Sequence, residues 1–236
     1  MKKIISLLCI AFLINGCGDC LDGEGVAIDE KRTVEDYEVI YASGSFDVTI
    51  RQTLLSDQNK IVVHAQENLL PFIQTRVEGS RLVIESKGCI SATEAITIEV
   101  ITNGVTKIVN EGSGSLSSVN ELKTERLKVQ NIGSGNMMIK ASAAMIKIEN
   151  EGSGDVRLLG EAQELEIISE GSGDVNTLET RGSHVEVSND GSGQVSVSVK
   201  DVLGIELYGS GDVNYAGNPQ DIEQSVSGSG NVKRLN

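Results

Sequence analysis

Apolar and polar residues alternate through the second half of the chain in a pattern that recurs every 18 to 21 residues. The repeats align on the tripeptide Gly-Ser-Gly, which occurs seven times, beginning at Gly112, Gly133, Gly152, Gly171, Gly191, Gly209 and Gly228. Alternation indicates strands with one buried face, because successive side chains of a strand point to opposite faces. A fixed short period is typical of a solenoid, in which each coil stacks on the next.

Three columns of residues carry the apolar half of the pattern. Four residues after the first glycine, every copy is apolar: Leu116, Met137, Val156, Val175, Val195, Val213 and Val232. The columns four and six residues before that glycine are apolar in nearly all copies, as at Ile148 and Ile146. Each repeat therefore predicts a strand, a Gly-Ser-Gly corner, a second strand and a turn back. We predict an all-β fold, a parallel β-helix-like solenoid with about 19 residues per coil and less regular N-terminal coils.

The corners themselves predict two further features. Glycine adopts positive φ without a Cβ penalty, so the two glycines of each corner predict a sharp change of direction. The position two residues before the first glycine is in phase with the inward-facing apolar columns. It predicts a ladder of side-chain amides that bond from coil to coil: Asn110, Asn131, Asn150 and Asn189, with Ser169 in place of one asparagine. The central serines predict a similar hydroxyl ladder, Ser134, Ser153 and Ser172 among them. The alternative is that these columns form a ligand site.

Residues 1–16 predict a signal peptide. Lys2 and Lys3 precede an apolar run, residues 4–14, that is too short to cross a bilayer. The sequence that ends at Cys17 resembles a bacterial lipoprotein signal, which implies cleavage before Cys17 and attachment of lipid to it. Ordinary cleavage with secretion is the alternative. We therefore expect a lipid-anchored protein of the cell envelope, at the outer membrane.

The mature chain divides into three predicted parts. Residues 17–36 are polar and acidic and predict a flexible tether. Residues 37–108 predict the opening strands or cap of the solenoid, with a separate small domain as the alternative. Within this part we expect strands at 60–65, 75–86 with a turn at Gly79, and 95–102, and one helical turn at 67–72. Residues 109–236 predict the regular repeat solenoid.

Three segments resemble the head GIN domain, a family described as putative auto-transporter adhesins: Ser43-Gly44-Ser45-Phe46-Asp47-Val48, Ala65-Gln66-Glu67-Asn68-Leu69-Leu70, and the Gly-Ser-Gly-Asp-Val repeats at 152 and 171. The resemblance covers residues 37–235, nearly the whole mature chain. It implies a right-handed parallel β-helix-like fold and a protein that is lipid-anchored or secreted. It supplies no catalytic residue.

The net charge limits the expected binding partners, and the cysteines allow a disulfide if the protein is exported. Without Lys2 and Lys3 the chain has 34 acidic and 18 basic residues, a net charge of −16. Nucleic acid and anionic lipid headgroups, which need a basic surface, are therefore excluded as expected partners. Once Cys9 leaves with the signal and Cys17 carries lipid, Cys20 and Cys89 remain. An exported protein can join these two as a disulfide, and Cys20 could instead be a free thiol or a second acylation site.

Candidate chemistry lies beside the corners. After the second glycine, only Asp155, Asp174 and Asp212 are carboxylates among seven copies, too few for a ladder of calcium sites. Asp155 and Asp174 occupy consecutive coils, so we expect them ~5 Å apart, as in carboxylate pairs that cleave sugars. The alternative is that both bond to local backbone. The two histidines, His64 and His184, lie far apart, and we predict no metal site and no cofactor.

The aromatic residues of the repeats are Tyr208 and Tyr215, near the last corners. They predict either a small contact patch or a cap that ends the stack. With Asp155, Asp174 and Asp212 they are the candidate surface contacts.

The predicted fold and the predicted location in the cell envelope together favour a non-enzymatic binding or adhesion module. We expect a glycan or an envelope protein as its partner, and attachment to the membrane through the lipid anchor. One alternative is a polysaccharide hydrolase or lyase that uses Asp155 and Asp174. The other is an envelope scaffold or sensor that binds a protein partner.

Overall fold

The computed structural model describes residues 20–53 and 59–235 of the chain. These residues form one 3₁₀ helix, Glu67–Phe72, and the following strands: β1 Leu21–Asp22, β2 Ala27–Thr33, β3 Val39–Ala42, β4 Asp47–Gln52, β5 Lys60–Gln66, β6 Ile73–Glu78, β7 Arg81–Ser86, β8 Ile90–Ser91, β9 Thr97–Thr102, β10 Lys107–Asn110, β11 Leu116–Ser118, β12 Leu122–Lys123, β13 Arg126–Asn131, β14 Met137–Asn150, β15 Val156–Ser169, β16 Val175–Asn189, β17 Val195–Leu207, β18 Val213–Gly217, β19 Asp221–Val226 and β20 Val232–Arg234. Nowhere in the described ranges is there a helix long and apolar enough for a membrane span.

The strands wind into a β-solenoid of about seven turns with about 19 residues per coil, which confirms the predicted fold. In the first sheet, β7, β3, β10 and β13 are followed by the later halves of β14 to β17 and then by β19. In the second sheet, β9, β4 and β11 are followed by the earlier halves of β14 to β17 and then by β18 and β20. All of these pairs are parallel. The Gly-Ser-Gly corners carry the chain from the first sheet to the second.

One apolar core lies between the two sheets. Val129, Ile148 and Ile167 stack on one another in the first sheet and are fully buried. The column after the corners is buried in the same way in the second sheet, as at Val156 and Val175. A fully buried side chain of this size contributes about 1.5–3 kcal/mol. Because a single coil would leave both faces exposed, the stack as a whole is the stable unit.

The corner glycines do not use the positive φ that glycine allows. None of the fourteen glycines in the seven Gly-Ser-Gly corners has positive φ. Glycine is required there for a different reason, which is the close approach of successive coils. A Cβ on Gly152 would overlap the carbonyl oxygen of Gly133, and a Cβ on Gly154 would overlap that of Gly135. Side chains at these positions would push the coils apart.

Antiparallel strands close the N-terminal end of the solenoid. β5 pairs with β9 on one side and with β2 on the other, both antiparallel, and β6 and β7 form a hairpin. These elements match the strands and the helical turn expected at 60–65, 75–86, 95–102 and 67–72. The parallel pairs β3–β10 and β4–β11 join this part of the chain to the repeats as continuous sheets.

The described part of the predicted tether forms strands. From Cys20 onward it forms β1, which pairs with β8, and β2, which pairs with β5 over seven residues. Cys20 and Cys89 form a disulfide across a sequence separation of 69 residues. The edge of β5 needs a partner strand, and residues 27–33 supply it. The predicted signal peptide, residues 1–16, and Cys17 lie outside the described residues.

Candidate functional site

The stacked corners form one continuous edge of the solenoid, which we call the corner edge. It comprises residues 43–47, 111–115, 132–136, 151–155, 170–174, 190–194, 208–212 and 227–231. Residues 43–47 are its first coil, because Ser113 donates its backbone N–H to the carbonyl of Gly44 at 2.9 Å and Leu116 aligns with Val48. The edge therefore contains eight corners, one more than the Gly-Ser-Gly motif reveals.

An amide ladder runs inside the corner edge. Asn110 donates from Nδ2 to Oδ1 of Asn131 at 3.3 Å, and Asn131 donates to Oδ1 of Asn150 at 3.2 Å. Each also donates to a glycine carbonyl of the following coil, for example Asn131 to Gly154 at 3.0 Å. The ladder residues are almost completely buried, so these bonds satisfy amides that would otherwise be unpaired.

Ser169 interrupts the ladder. It occupies the same column between Asn150 and Asn189 and is fully buried. Its hydroxyl has no hydrogen-bond partner. On the far side, Asn189 donates to the Gly193 carbonyl of its own corner at 3.0 Å and to the Gly211 carbonyl of the following coil at 3.5 Å, and it accepts from the Gly191 N–H at 3.1 Å.

The central serines face outward. Ser134, Ser153 and Ser172 are exposed, and Ser192 donates its hydroxyl to Ser172 at 3.2 Å. This column is therefore an exposed row of hydroxyls at the rung spacing of a β-stack, ~4.8 Å. The backbone amides of the corners bond to the coil before, as Ser153 does to Gly133 at 3.2 Å, which leaves the hydroxyls available to a partner.

The column after the second glycine bonds each coil to the next. Asp155 accepts the backbone N–H of Asp174 at 2.9 Å, and Asp174 accepts that of Gln194 at 2.8 Å, both through Oδ1. Asn136 does the same for Asp155 at 2.9 Å. The structure thus brings Asp155 and Asp174 together on consecutive coils and engages one oxygen of each. Sequence reasoning missed Asp47, which belongs to this column and accepts from Ser115; the imperfect corner at 43–45 was the available signal.

Asp212 lies farther along the same column and has a different environment. Its Oδ2 accepts from Lys233 Nζ at 2.6 Å, and its Oδ1 accepts from the backbone N–H of Asn231 at 2.9 Å. The bond from Lys233, followed by that from Asn231, lowers the pKa of Asp212 to about 2. Asp212 is therefore an ionised anchor for the last coil.

The two tyrosines lie on different surfaces. Tyr208 is half exposed on the corner edge, and its hydroxyl donates to Glu206 at 3.2 Å. The negative charge of Glu206 raises the pKa of Tyr208. Tyr215 aligns with the inward-facing Val197 and packs against the core. The pair does not form one exposed patch.

A third tyrosine marks the opposite end of the corner edge. The Tyr41 hydroxyl bonds to the carboxylate of Glu111, and the Arg81 guanidinium lies 4.9 Å from the centre of the Tyr41 ring. The bond to Glu111 is the main cause that raises the pKa of Tyr41. This cluster joins residues far apart in sequence, so no local pattern could have revealed it.

The outer face of the first sheet has a shallow acidic depression of about 390 Å³. Gly204 lies between Glu186 on the preceding strand and Glu223 on the following strand. Because glycine has no side chain, it leaves a gap between the two glutamates. Glu166 and Glu206 also line the depression. Within residues 20–53 and 59–235, no group of three or more histidine, cysteine, aspartate or glutamate side chains is placed to hold a metal ion.

The fold and the corner edge define a β-solenoid that presents an exposed serine at each of eight stacked corners. Residues 36–219 match the model of a protein family described as "Putative auto-transporter adhesin, head GIN domain", and the chain belongs to that family. No curated protein matches the sequence.

Three solved bacterial structures share the fold. A putative adhesin from Bacteroides fragilis superposes with a TM-score of 0.85 at 21% identity, covering 91% of this chain and 100% of that one. A putative adhesin from Parabacteroides distasonis gives 0.75 at 21% identity, covering 92% and 100%. A protein of the same species named as a putative lipid binding protein gives 0.73 at 23% identity, again covering 92% and 100%.

Proposed function

We propose that this protein is a non-enzymatic binding module of the cell envelope, and that the corner edge is its contact surface. The observation that carries the proposal is the repetition of an exposed serine at eight registered corners. The family description and the names of two structural relatives, both putative adhesins, support the same class of function.

The chemistry of the edge suits a polar, repetitive partner. Some corners offer an exposed serine hydroxyl beside a carboxylate that uses Oδ1 to hold the next coil, as at Ser153 and Asp155. Weak contacts of this kind add strength when several form at once, because each later contact is intramolecular. A glycan chain with many hydroxyls is the partner that matches this row, and an envelope protein with a repetitive surface is the alternative.

The enzyme alternative has weaker support from the geometry. Asp155 and Asp174 each use Oδ1 to hold the backbone of the next coil, and Asn136 performs the same role in the same column. A residue type that alternates between aspartate and asparagine fits a structural acceptor better than an acid or a nucleophile. Both residues are also exposed on a convex edge rather than enclosed in a cleft.

The location of the protein in the cell forms part of the proposal. We propose that lipid on Cys17 anchors the chain to the outer membrane, as the signal sequence indicates. Cys17→Ala should abolish incorporation of labelled palmitate and move the protein from the membrane fraction to the soluble one. Retention of the variant in the membrane fraction would contradict this part.

Binding to a panel of purified polysaccharides tests the function. The full chain should bind at least one polymer without releasing reducing sugar or unsaturated products. Ser153→Arg combined with Ser172→Arg should lower the affinity by about a hundredfold, because two bulky cations then cover neighbouring corners. Ser80→Arg, the same change at an exposed turn of the β6–β7 hairpin, is the matched control and should bind normally. Product release that disappears in Asp174→Asn would instead establish the enzyme.

A further inference from the structure

The two ends of the solenoid are built differently. At the N-terminal end, Leu69 and Leu70 of the 3₁₀ helix are buried over the core. Arg32 on β2 fastens this cap by donating to the carbonyls of Ile73 at 2.6 Å and Leu70 at 3.0 Å. At the other end, β19 pairs only with β17 and β20 only with β18 among the described residues. Each of these last strands therefore has one unpaired edge.

Apolar side chains are exposed at this second end. Ile222 and Val226 continue the inward-facing columns of Leu203 and Leu207, which are fully buried one coil earlier. In the last coil the same columns are open, because Ile222 is 46% exposed and Val226 is 48% exposed. An unpaired strand edge next to exposed apolar residues is a surface that pairs with another strand.

The charges of the two last strands are opposite. β19 carries two acidic residues, Asp221 and Glu223, and no basic one. β20 carries Lys233 and Arg234 and no acidic residue, and both side chains also make bonds within their own chain: Lys233 to Asp212, and Arg234 to Asn218 and the Gly217 carbonyl. The two strands also run in opposite directions, because the chain reverses at the corner that joins the first sheet to the second.

We propose that this end binds a second copy of the chain through a two-fold axis parallel to the strands. That axis places β19 of one copy beside β20 of the other, antiparallel and with acidic against basic residues, and it forms this pair twice. The other end-to-end two-fold, perpendicular to the sheets, would pair β19 with β19 and β20 with β20. Like charges would then face each other, so the charge pattern selects the first arrangement.

The size of the end face sets the strength of the dimer. Six residues of β19 span ~20 Å and the two sheets lie ~10 Å apart, so the contact covers a few hundred Å² per copy. Stable interfaces bury ~800 Å² per partner, and we therefore expect a weak dimer. In this arrangement the corner edges of both copies lie on the same side and form one longer row. The inference does not depend on what the corner edge binds.

Sedimentation equilibrium of the full chain in density-matched non-ionic detergent, from about 10 μM to about 1 mM, tests the proposal. The expected result is a monomer–dimer equilibrium that weakens in 1 M salt, because screening removes the charge pairing. A single monomeric species over the whole range would overturn the proposal.

Charge reversal identifies the strands that form the contact. Lys233→Glu with Arg234→Glu makes both strands acidic, and Asp221→Lys with Glu223→Lys makes both basic, so each variant alone should remain monomeric. An equimolar mixture should regain the dimer as a heterodimer, because every contact is again acidic against basic. This rescue also shows that both variants are folded. A dimer in either variant alone, or a mixture that stays monomeric, would overturn the proposal.

One test variant and one control variant examine the apolar part of the contact. Val226→Asp should weaken dimerisation at least tenfold, because it places a carboxylate in the centre of the end face. Val119→Asp changes a similarly exposed valine on the side of the solenoid and should leave dimerisation unchanged. Equal effects of the two substitutions would place the contact elsewhere.

Discussion

Asn131 donates its side-chain amide to the side-chain oxygen of Asn150, one coil away, at 3.2 Å, and neither residue is exposed to solvent. This bond recurs between Asn110 and Asn131, so the interior of the corner edge is held by polar contacts rather than by apolar packing. The geometry of the exposed serines follows from it, because the ladder fixes the rung spacing of the corners.

Removing one rung of the ladder should be costly. Asn131→Ala removes the donor to Asn150 Oδ1 and to the Gly154 carbonyl in a buried site. We expect a loss of about 2–4 kcal/mol in the free energy of unfolding. Urea denaturation followed by circular dichroism measures it, and a loss below about 0.5 kcal/mol would contradict a structural role for the ladder.

Restoring the missing rung should have the opposite effect. Ser169→Asn would accept from Asn150 and remove the buried hydroxyl that has no partner. We expect a gain of about 1 kcal/mol, measured in the same denaturation experiment. Destabilisation by this variant would show that the asparagine does not fit beside Asn189.

Two glycine-to-alanine substitutions distinguish the steric effect of a Cβ between closely packed coils from its effect on the flexibility of the unfolded backbone. Gly154→Ala places a methyl group against the Gly135 carbonyl and should cost more than about 3 kcal/mol. At Gly204 a new Cβ meets only Glu186 Cγ at 3.7 Å, and φ is not positive. Gly204→Ala should therefore stabilise the fold by about 0.5–1 kcal/mol, because it restricts the unfolded chain. Thermal unfolding distinguishes the two, and similar effects would contradict the packing argument.

The carboxylate of Asp174 should be replaceable by an amide. Asp174→Asn keeps the oxygen that accepts from Gln194, as Asn136 already does for Asp155, so stability should change by less than about 0.3 kcal/mol. Asp174→Ala removes that acceptor and should cost about 0.5–1 kcal/mol. Equal losses in both variants would show that the charge, rather than the hydrogen bond, holds the coil.

Asp212 gives the last coil a defined response to acid. Its pKa of about 2 in the folded protein lies below the ordinary value near 3.9, so it favours folding above about pH 4. That contribution is lost as the pH falls from about 4 toward about 2. Lys233→Ala should raise the pKa of Asp212, which a carboxyl-detected NMR titration reads directly. An unchanged pKa in this variant would rule out the ion pair as its main cause.

The regular part of the fold follows from local sequence. Residues such as Ile148 and Val156 alternate with polar neighbours, and their recurrence at a fixed period determines both the strands and their register. The capped end does not follow from such a pattern, because β2 and β5 form their antiparallel pair over long sequence separations. Residues 20–36, the described part of the predicted tether, lack a repeating apolar pattern, and their strands form only by pairing with distant segments. The sequence alone therefore predicts a flexible segment there.

The corner edge was only partly predictable. Its asparagine and serine columns are visible in the aligned repeats, but the reason for the glycines depends on how closely the neighbouring coil approaches. The partner of Tyr41 and the gap at Gly204 likewise depend on side chains from other coils. Tyr208 and Tyr215 are close in sequence, and yet Tyr208 lies on an exposed corner whereas Tyr215 occupies an inward-facing position of β18.

The most direct test of the account is the dependence of binding on the number of intact corners. We would measure the affinity of the full chain for the polysaccharide it binds most tightly on the panel, after Ser153→Arg, then with Ser172→Arg added, then with Ser192→Arg added. If the corners act as repeated contacts, each step should lower the affinity by a further factor of about ten, whereas Ser80→Arg should have no effect. Binding that is unchanged by all three substitutions, or lost completely with the first, would contradict the claim that the repeated corner edge is the contact surface.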